Sequence, residues 1–323
     1  MHKNNSFISS GFEKPIYFLT NFLVIMFAFY IFIIWYRGSE PYIQTSSSLV
    51  QYYKVYLITV DKTPYWHIVD KGAGDMAKAI GVQYIWNAPD VRSVEKQIEI
   101  IENAVNNGAN ALLVAADDPK KIAGVIEDAK ARGVKIIYVD SPAYEEAITT
   151  LSSDNYQAGE SAGRTMLSLL QKQNITKGTI GIVSVESKEN TQQREAGFRK
   201  VILEDAKFTL PDTLYTDGSV DAAKEAANQL IRENSDIVGI IGINQGTGEG
   251  VGLAIKEGND KLTGIGFDDT DMMLKLLGEG SLKALIVQNE YTMGYLGMAQ
   301  AVAAILGKDT GPSYLNTGTS VME

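Results

Sequence analysis

Short apolar runs alternate with helical patterns from Lys54 almost to the end of the chain. This alternation is typical of parallel strands connected by helices that cover both faces of a sheet. The first four predicted strands are residues 55–60, 83–86, 111–115 and 135–139, and the helices between them are residues 68–80, 94–107 and 120–132. Each helix is followed directly by a glycine, at positions 81, 108 and 133. A glycine there is typical of a left-handed C-cap, so these positions support the assignment.

A second series of the same kind begins after Ser153. Its predicted strands are residues 179–185, 212–215, 238–243 and 262–267, and its helices are residues 157–171, 193–204, 220–233, 248–257 and 271–277. A last strand over 284–287 precedes a helix over 293–306 and a short tail strand over 314–316. Two comparable series predict an α/β protein with two doubly wound parallel-sheet lobes.

The segment over residues 16–36 departs from this pattern, because its 21 consecutive residues carry no charge. A helix of that length is about 30 Å long, enough to cross the hydrocarbon core of a bilayer. We expect one uncleaved transmembrane helix, with residues 1–15 as a cytoplasmic tail and residues 37–53 as a linker. The lobes then lie on the extracytoplasmic side of the cell membrane. The alternative is an atypical signal peptide, removed by cleavage after about residue 37.

Length, charge and cysteine content limit the domain organisation, the partners and the chemistry that this chain can have. The chain has 323 residues, a length suited to two lobes. Its net charge of -10 argues against a nucleic-acid partner, because neutralising phosphates requires clustered lysine and arginine. There are no cysteines, which excludes disulfides, thiolate metal sites, thiol catalysis and a lipid attached through cysteine.

Motifs that indicate an enzyme are weak or incomplete. The only histidines are His2 and His67, so neither a Ser-His-Asp triad nor a histidine metal cluster can be assembled except around His67 alone. The glycine-rich stretch over 246–252 lacks the third glycine of a dinucleotide motif and the Lys-Ser/Thr of a P-loop. Asp268 and Asp269 are adjacent at a strand end, where they diverge rather than face each other across a glycosidic bond. We therefore expect no catalytic residue, no metal and no cofactor.

Polar and aromatic residues follow several predicted strands at the point where each strand ends. They are Tyr65 and Trp66 after the first strand, Asp140 after the fourth, and Asn244, Phe267, Asp268 and Gln288 in the second series. In open α/β sheets, ligands bind beyond the carboxyl ends of the strands. Carboxylates and amides suit hydroxyl groups, and aromatic rings cover the apolar face of a sugar ring. An uncharged polyhydroxylated ligand is predicted, although Asp268 could instead cap a helix and Tyr65 and Trp66 could belong to the core.

These residues carry a resemblance to a known family. The segments 63–66, 139–140, 153–155, 194–198, 243–244 and 266–268, together with Gln288, make the chain from Lys54 onward resemble the type I periplasmic sugar-binding proteins that bind ribose, xylose and galactose. The resemblance implies an aromatic sandwich, two acids that grip hydroxyl groups, and further polar contacts. The implied site is Tyr65, Trp66, Asp140, Ser141, Asn155, Arg194, Asn244, Phe267, Asp268 and Gln288.

One position departs from the ribose-type pattern. Those proteins carry arginine directly after the first acid, where this chain has Ser141. The binding geometry is therefore expected to differ from that of the ribose proteins. A pentose or hexopyranose remains compatible with the aromatic pair, and xylose is the first choice.

The resemblance also implies how the lobes are assembled. Three chain crossings are expected, near Asp154, Asn289 and Pro312. The first lobe then comprises residues 54–153 and 289–312, and the second comprises residues 154–288 and 313–323. A ligand in the cleft bridges the lobes and stabilises the closed form of the hinge.

Two functions follow for such a protein. The first is a membrane-anchored extracellular sugar receptor that signals to the extracellular domain of a sensor histidine kinase. The alternative is the substrate-binding component of an ABC sugar transporter, with an ABC permease as its partner. A sugar-responsive repressor shares the fold, but it requires a basic helix-turn-helix where this chain has the apolar segment.

Overall fold

The computed structural model describes residues 50–185, 189–258 and 261–323. The predicted cytoplasmic tail, the membrane anchor over 16–36 and most of the linker lie outside these residues. Within the three described ranges, no helix combines the length and the apolar character needed to cross a membrane.

The described chain alternates strands and helices. In chain order the strands are β1 (Lys54–Ile58), β2 (Gln83–Asn87), β3 (Ala111–Val114), β4 (Lys135–Val139), β5 (Thr149–Ser152), β6 (Gly178–Ser184), β7 (Phe208–Thr209), β8 (Leu214–Tyr215), β9 (Ile237–Gly242), β10 (Thr263–Phe267), β11 (Ala284–Gln288), β12 (Tyr314–Asn316) and β13 (Thr319–Met322). The helices are α1 (Pro64–Ile80), α2 (Val94–Asn106), α3 (Pro119–Ala131), α4 (Asn155–Lys172), α5 (Glu189–Leu203), α6 (Val220–Glu233), α7 (Gln245–Gly258), α8 (Asp271–Gly278) and α9 (Glu290–Ile305).

The strands form two sheets. The first sheet has the order β12-β5-β4-β3-β1-β2, and all of its pairs are parallel. The second has the order β13-β11-β10-β9-β6-β7, with β8 also paired to β6, and its one antiparallel pair joins β11 and β13. The predicted α/β fold with two parallel-sheet lobes is confirmed.

Burial of the strands follows from their place in each sheet. Every residue of β3 and β10 is buried, because helices cover both faces of these central strands. The edge strand β2 instead alternates exposed and half-buried residues. The sequence missed β5, β7 and β13; β5 carries polar residues, β7 is only two residues long, and β13 is a mostly exposed edge strand.

Polar side chains mark the beginnings of the helices. Ser93, Asp118, Asp154 and Ser219 each precede a helix and accept a hydrogen bond from a backbone N–H of its first turn. At the other end, Gly81, Gly108 and Gly133 have left-handed φ values of 87°, 79° and 86°. The predicted glycine caps therefore have the conformation that they were expected to adopt.

Helix pairs in both lobes are packed unusually closely. In the first lobe, a methyl group added at Gly72 or Gly294 would overlap backbone atoms of the facing helix, α9 or α1. In the second lobe, the same holds for Gly159 on α4 and Gly197 on α5. These contacts set the position of the first turns of α1, α9, α4 and α5, which carry several candidate site residues.

The chain passes between the two sheets at three places. The first is Ser153–Asp154, between β5 and α4, and the second is Asn289, between β11 and α9. The third is Thr317–Gly318, between β12 and β13. This third position corrects the crossing expected near Pro312, because β12 pairs with β5 in the first sheet before the chain leaves that sheet.

Hydrogen bonds tie the three crossings together. Asn289 Nδ2 donates to the Thr317 carbonyl at 2.6 Å, and Thr317 N donates to the Ser152 carbonyl at 3.0 Å. Asn316 Oδ1 accepts from both Asp154 N at 3.1 Å and Gly318 N at 2.8 Å. The crossings therefore form one bundle of short segments along one side of the lobes.

Candidate functional site

The two candidate acids occupy corresponding places in the two sheets. Asp140 follows β4 with a φ of 66°, and Asp268 follows β10 with a φ of 74°. Each backbone N–H continues the sheet pairing, from Asp140 to the Leu151 carbonyl at 2.8 Å and from Asp268 to the Ile286 carbonyl at 2.9 Å. The left-handed conformation is uncommon for a residue other than glycine, and aspartate tolerates it better than most. It turns each carboxyl group out of the strand direction at the carboxyl edge of its sheet.

Arg194 is the central cation of the second lobe. Its residue surface is only 2% exposed, although it carries a full charge. Nε donates to Asn155 Oδ1 at 2.8 Å, one terminal nitrogen donates to the Ile243 carbonyl at 3.3 Å, and the guanidinium lies 4.5 Å from the centre of the Phe267 ring. The other terminal nitrogen, Nη2, is buried and has no hydrogen-bond partner among the described residues. One strong donor of this cluster is therefore unsatisfied.

Gln288 supplies the complementary acceptor. Its Nε2 donates to Asp268 Oδ1 at 2.8 Å, which orients both side chains at the carboxyl ends of β10 and β11. Its Oε1 is buried and has no hydrogen-bond partner in the described part of the chain. The structure thus places Asn155, Arg194, Phe267, Asp268 and Gln288 in one cluster, with an unpaired donor and an unpaired acceptor.

In the first lobe, Tyr65 and Asp140 form the corresponding contact. The Tyr65 hydroxyl donates to Asp140 Oδ1 at 2.8 Å. Because α1 begins at Pro64 rather than at 68, Tyr65 and Trp66 are successive residues of a helix and point in different directions. Trp66 is 6% exposed and packs within the hydrophobic core of the first lobe. For Trp66 the burial therefore favours the alternative of a core position over that of a cleft wall.

Two further candidates, Asn244 and Ser141, make hydrogen bonds to residues of their own lobes. The Asn244 amide oxygen accepts from Thr247 N at 3.0 Å and from Thr247 Oγ1 at 2.8 Å, so it holds the first turn of α7 and leaves Nδ2 for other contacts. Ser141 acts through its backbone: its carbonyl accepts from Ala116 N at 2.8 Å. The helix-cap alternative for Asp268 is not what the structure has, because Thr270 caps α8.

A cavity of about 390 Å³ lies between residues of the two lobes. This volume is within the range of small-molecule sites, roughly 300 to 1,000 Å³. The lining residues are Pro64, Tyr65, His67 and Ile68 from α1, Gln245 and Glu249 from α7, Asp268, Asp269, Thr270, Asp271 and Met272 near α8, and Glu290 from α9. Tyr65 and Asp268 therefore face the same space from opposite lobes.

Glu290 is the residue that sequence reasoning missed. The helix was predicted to begin at 293, whereas α9 begins at Glu290, directly after Gln288 and the crossing at Asn289. The available signal was an acidic residue in the first turn, where the helix dipole favours negative charge. Glu290 is only 4% exposed and lines the cavity.

The cavity is a strongly acidic environment. Burial raises the pKa of Asp268, while the nearby Arg194 guanidinium and the hydrogen bond from Gln288 act in the opposite direction. Burial and the charges of Asp268, Asp269 and Asp140 raise the pKa of Glu290 to about 8. Burial and the neighbouring Asp140 raise the pKa of the Tyr65 hydroxyl, so it remains a hydrogen-bond donor at neutral pH. In the part of the chain that the structure describes, no group of three or more histidine, cysteine, aspartate or glutamate side chains is arranged to hold a metal ion.

Comparison with known proteins places this architecture among binding proteins. Residues 55–309 match the periplasmic binding protein domain. The ribose import binding protein of Bacillus subtilis is 25% identical over 246 residues, which cover 76% of this chain and 79% of that protein.

Two solved structures have the same fold. A carbohydrate transporter solute binding protein from Agrobacterium radiobacter, in complex with D-arabinose, is 29% identical with a TM-score of 0.77, covering 84% of this chain and 94% of that one. An ABC transporter solute binding protein from Burkholderia graminis, also in complex with D-arabinose, is 25% identical with a TM-score of 0.78, covering 84% of this chain and 96% of that one.

Proposed function

We propose that this chain, which belongs to the periplasmic binding protein domain family, binds a monosaccharide in the cleft between its lobes. The observation that carries the proposal is a pair of buried atoms beside Asp268 that have no hydrogen-bond partner among the described residues: Arg194 Nη2 and Gln288 Oε1. Leaving such a group without a partner costs about 1–3 kcal/mol, and more when it is charged. A sugar hydroxyl both donates and accepts, so a single ligand can satisfy both atoms.

The first lobe supports the same ligand. Asp140 is oriented by the Tyr65 hydroxyl and lies at the corresponding sheet edge. We propose that Asp140 and Asp268 each accept hydrogen bonds from ligand hydroxyl groups and that Tyr65 covers one face of the ring. Contacts from both lobes to one molecule favour the closed form, because they exist together only when the cleft is closed.

A calorimetric screen of the purified full-length chain tests this function. The panel is D-xylose, D-ribose, D-arabinose, D-apiose, D-glucose and D-galactose, with a zwitterionic amino acid as a ligand of another class. We expect at least one pentose, D-xylose first, to bind with a Kd of about 1 μM or lower, equivalent to about -8 kcal/mol. Absence of saturable binding across the sugars would reject the proposal.

Tyr65→Phe is expected to weaken sugar binding by about three- to tenfold, because the hydroxyl that orients Asp140 is lost. Tyr84→Phe is the matched control, since the Tyr84 hydroxyl donates to Asp70 at 2.6 Å, a contact of the first lobe away from the cavity. Titration calorimetry measures both dissociation constants. Equal affinities for the two variants would contradict the assigned role of Tyr65.

For the physiological role, we propose the solute-binding component of an ABC sugar transporter. The support is the set of similar proteins, whose names describe import or transporter binding proteins. In this role the closed, loaded protein delivers the sugar to a permease. Reconstitution of sugar uptake with the cognate permease tests it, and uptake that is unchanged without this chain would argue against it.

A second role, an anchored receptor for a sensor histidine kinase, is favoured by one observation in the sequence. Residues 16–36 carry no charge, and the chain has no cysteine to which a lipid anchor could be attached. Mass spectrometry of the mature N-terminus shows whether this segment is a retained membrane anchor or a cleaved signal peptide. Retention of residues 16–36 together with sugar-dependent capture of a kinase supports the receptor, and cleavage after about residue 37 contradicts the anchor.

A further inference from the structure

Glu290 lies where the chain returns from the second lobe to the first. It is the first residue of α9 and directly follows the second chain crossing, Asn289. Its α9 belongs to the first lobe, where it packs on α1, yet its side chain lines a cavity that Asp268 borders from the second lobe. Glu290 therefore lies in the first lobe at a cavity that residues of both lobes line.

Titratable groups from several elements line the same cavity as Glu290 or act on its charge. They are Tyr65 and His67 on α1, Glu249 on α7, Asp268 and Asp269 after β10, Asp271 on α8, and Asp140 after β4. Among the described residues that line the cavity, none is a lysine or an arginine. Arg194, the nearest cation to Asp268, already donates to Asn155 and to the Ile243 carbonyl.

A buried carboxylate without a nearby cation is unfavourable, and such a group keeps its proton instead. The burial of Glu290 and the three surrounding aspartates raise its pKa to about 8. At neutral pH its side chain is therefore mostly a neutral acid, which can donate an O–H hydrogen bond as well as accept one. An ionised carboxylate can only accept, so a protonated Glu290 adds a hydrogen-bond donor that an ionised acid in the cleft would lack.

We propose that Glu290 is a ligand-contacting residue that donates a hydrogen bond to a sugar hydroxyl, and that its ionisation weakens binding. The proposal rests on the sugar-binding function above. When Glu290 loses its proton, the donor disappears and a negative charge is placed near Asp140 and Asp268 within the same cleft. Repulsion between these charges opposes closure of the cleft. The loss of the hydrogen bond weakens binding further. The residue thus makes sugar affinity depend on pH in the mildly alkaline range.

The test is the dissociation constant of the best sugar from the screen, measured from pH 5.5 to 9.5 with the full chain. Wild-type affinity is expected to be constant up to about pH 7 and to fall above about pH 8, by up to tenfold per pH unit. Glu290→Gln keeps a donor and an acceptor but cannot ionise. We expect this variant to bind within about threefold of wild type at pH 6.5 and to show no alkaline decrease.

Three further variants separate the contact from a general charge effect. Asp271→Asn and His67→Gln change other titratable groups at the cavity and are expected to retain the alkaline decrease, whatever their affinity at pH 6.5. Glu290→Ala removes the hydrogen bond and is expected to bind about tenfold more weakly than wild type at pH 6.5. An alkaline decrease that persists unchanged in Glu290→Gln, or full affinity in Glu290→Ala, would overturn the proposal.

A ligand-free measurement distinguishes failure of this inference from failure of the proposed function. Because the folded-state pKa of Glu290 is raised from its ordinary value of 4.5 to about 8, its contribution to stability is greatest below pH 4.5 and is lost as the pH rises to about 8. The Tm of Glu290→Gln should therefore exceed that of wild type increasingly between pH 5 and pH 8. If this Tm difference appears but no sugar binds, the sugar-binding function and the ligand contact both fail. If sugar binds and the Tm difference is absent, the ionisation and hence the inference fail alone.

Discussion

Asp268→Asn is expected to weaken sugar binding by about tenfold to a hundredfold. The change removes the negative charge beside Arg194 and replaces one acceptor oxygen with an amide donor, while hydrogen bonds to a charged group contribute about 1.5–3 kcal/mol each. Asparagine is the informative substitute because it tolerates the left-handed φ of 74° at this position. Alanine would add backbone strain, and its effect on affinity would be mixed with an effect on stability.

The matched control is Asp118→Asn. Asp118 likewise lies between a strand and a helix, β3 and α3 of the first lobe, but its carboxylate accepts from Lys120 N and Lys121 N, both at 3.0 Å, as a helix cap. Asparagine is an equally good N-cap, so affinity and stability should change little. Titration calorimetry of both variants at pH 6.5 provides the comparison. Unchanged affinity in Asp268→Asn would refute the proposed role of Asp268 as an acceptor for ligand hydroxyl groups.

Gly159→Ala is expected to destabilise the protein by about 2–3 kcal/mol and to weaken sugar binding as well. A methyl group at this position overlaps the carbonyl oxygen of Arg194, so α4 and α5 must separate. Overpacking of a close contact typically costs about 1–3 kcal/mol. Separation of the two helices also moves Arg194 on α5 away from Asn155 on α4. The hydrogen bond that positions the Arg194 guanidinium is thereby disturbed.

Gly124→Ala is the control for this substitution. Gly124 lies within α3, and a methyl group added there meets no atom within 4 Å. Alanine in a helix interior is favoured over glycine by about 0.5–1 kcal/mol, so this variant should be slightly more stable than wild type and bind sugar normally. Thermal unfolding and titration calorimetry together measure both effects. A Gly159→Ala variant with wild-type Tm would show that the two helices can move apart at little cost.

The sequence predicted the sheets and most of the candidate cluster because strand ends carry a local signal. Asp140, Asp268 and Gln288 each follow an apolar run, and parallel strands bring such ends to one edge. Asn155 and Arg194 lie on helices, where the position of a residue in the sequence does not show whether its side chain reaches the cleft. Both were predicted only from the family resemblance. Their contact depends on the close packing of α4 on α5, which no short sequence pattern reveals.

Other features depended on helix boundaries, which are the least certain part of a sequence pattern. An α1 that begins at Pro64 directs Trp66 into the core while Tyr65 lines the cavity, because successive helical residues point about 100° apart. An α9 that begins at Glu290 brings that residue into the cavity. The third crossing was misplaced for another reason: the strand over 314–316 was predicted, but its sequence does not show that it pairs with β5 in the first sheet.

The position of that third crossing has a consequence for how the chain is made. The second lobe runs without interruption from α4 to β11 and needs only the edge strand β13 to be complete. The first lobe begins earlier but requires α9, which packs on α1, and β12, which completes its sheet. During synthesis, the first lobe can therefore be completed only after α9 and β12 have emerged, later than the continuous stretch from α4 to β11. The continuous lobe can fold in the meantime, which reverses the usual N-terminal-first order of domain folding.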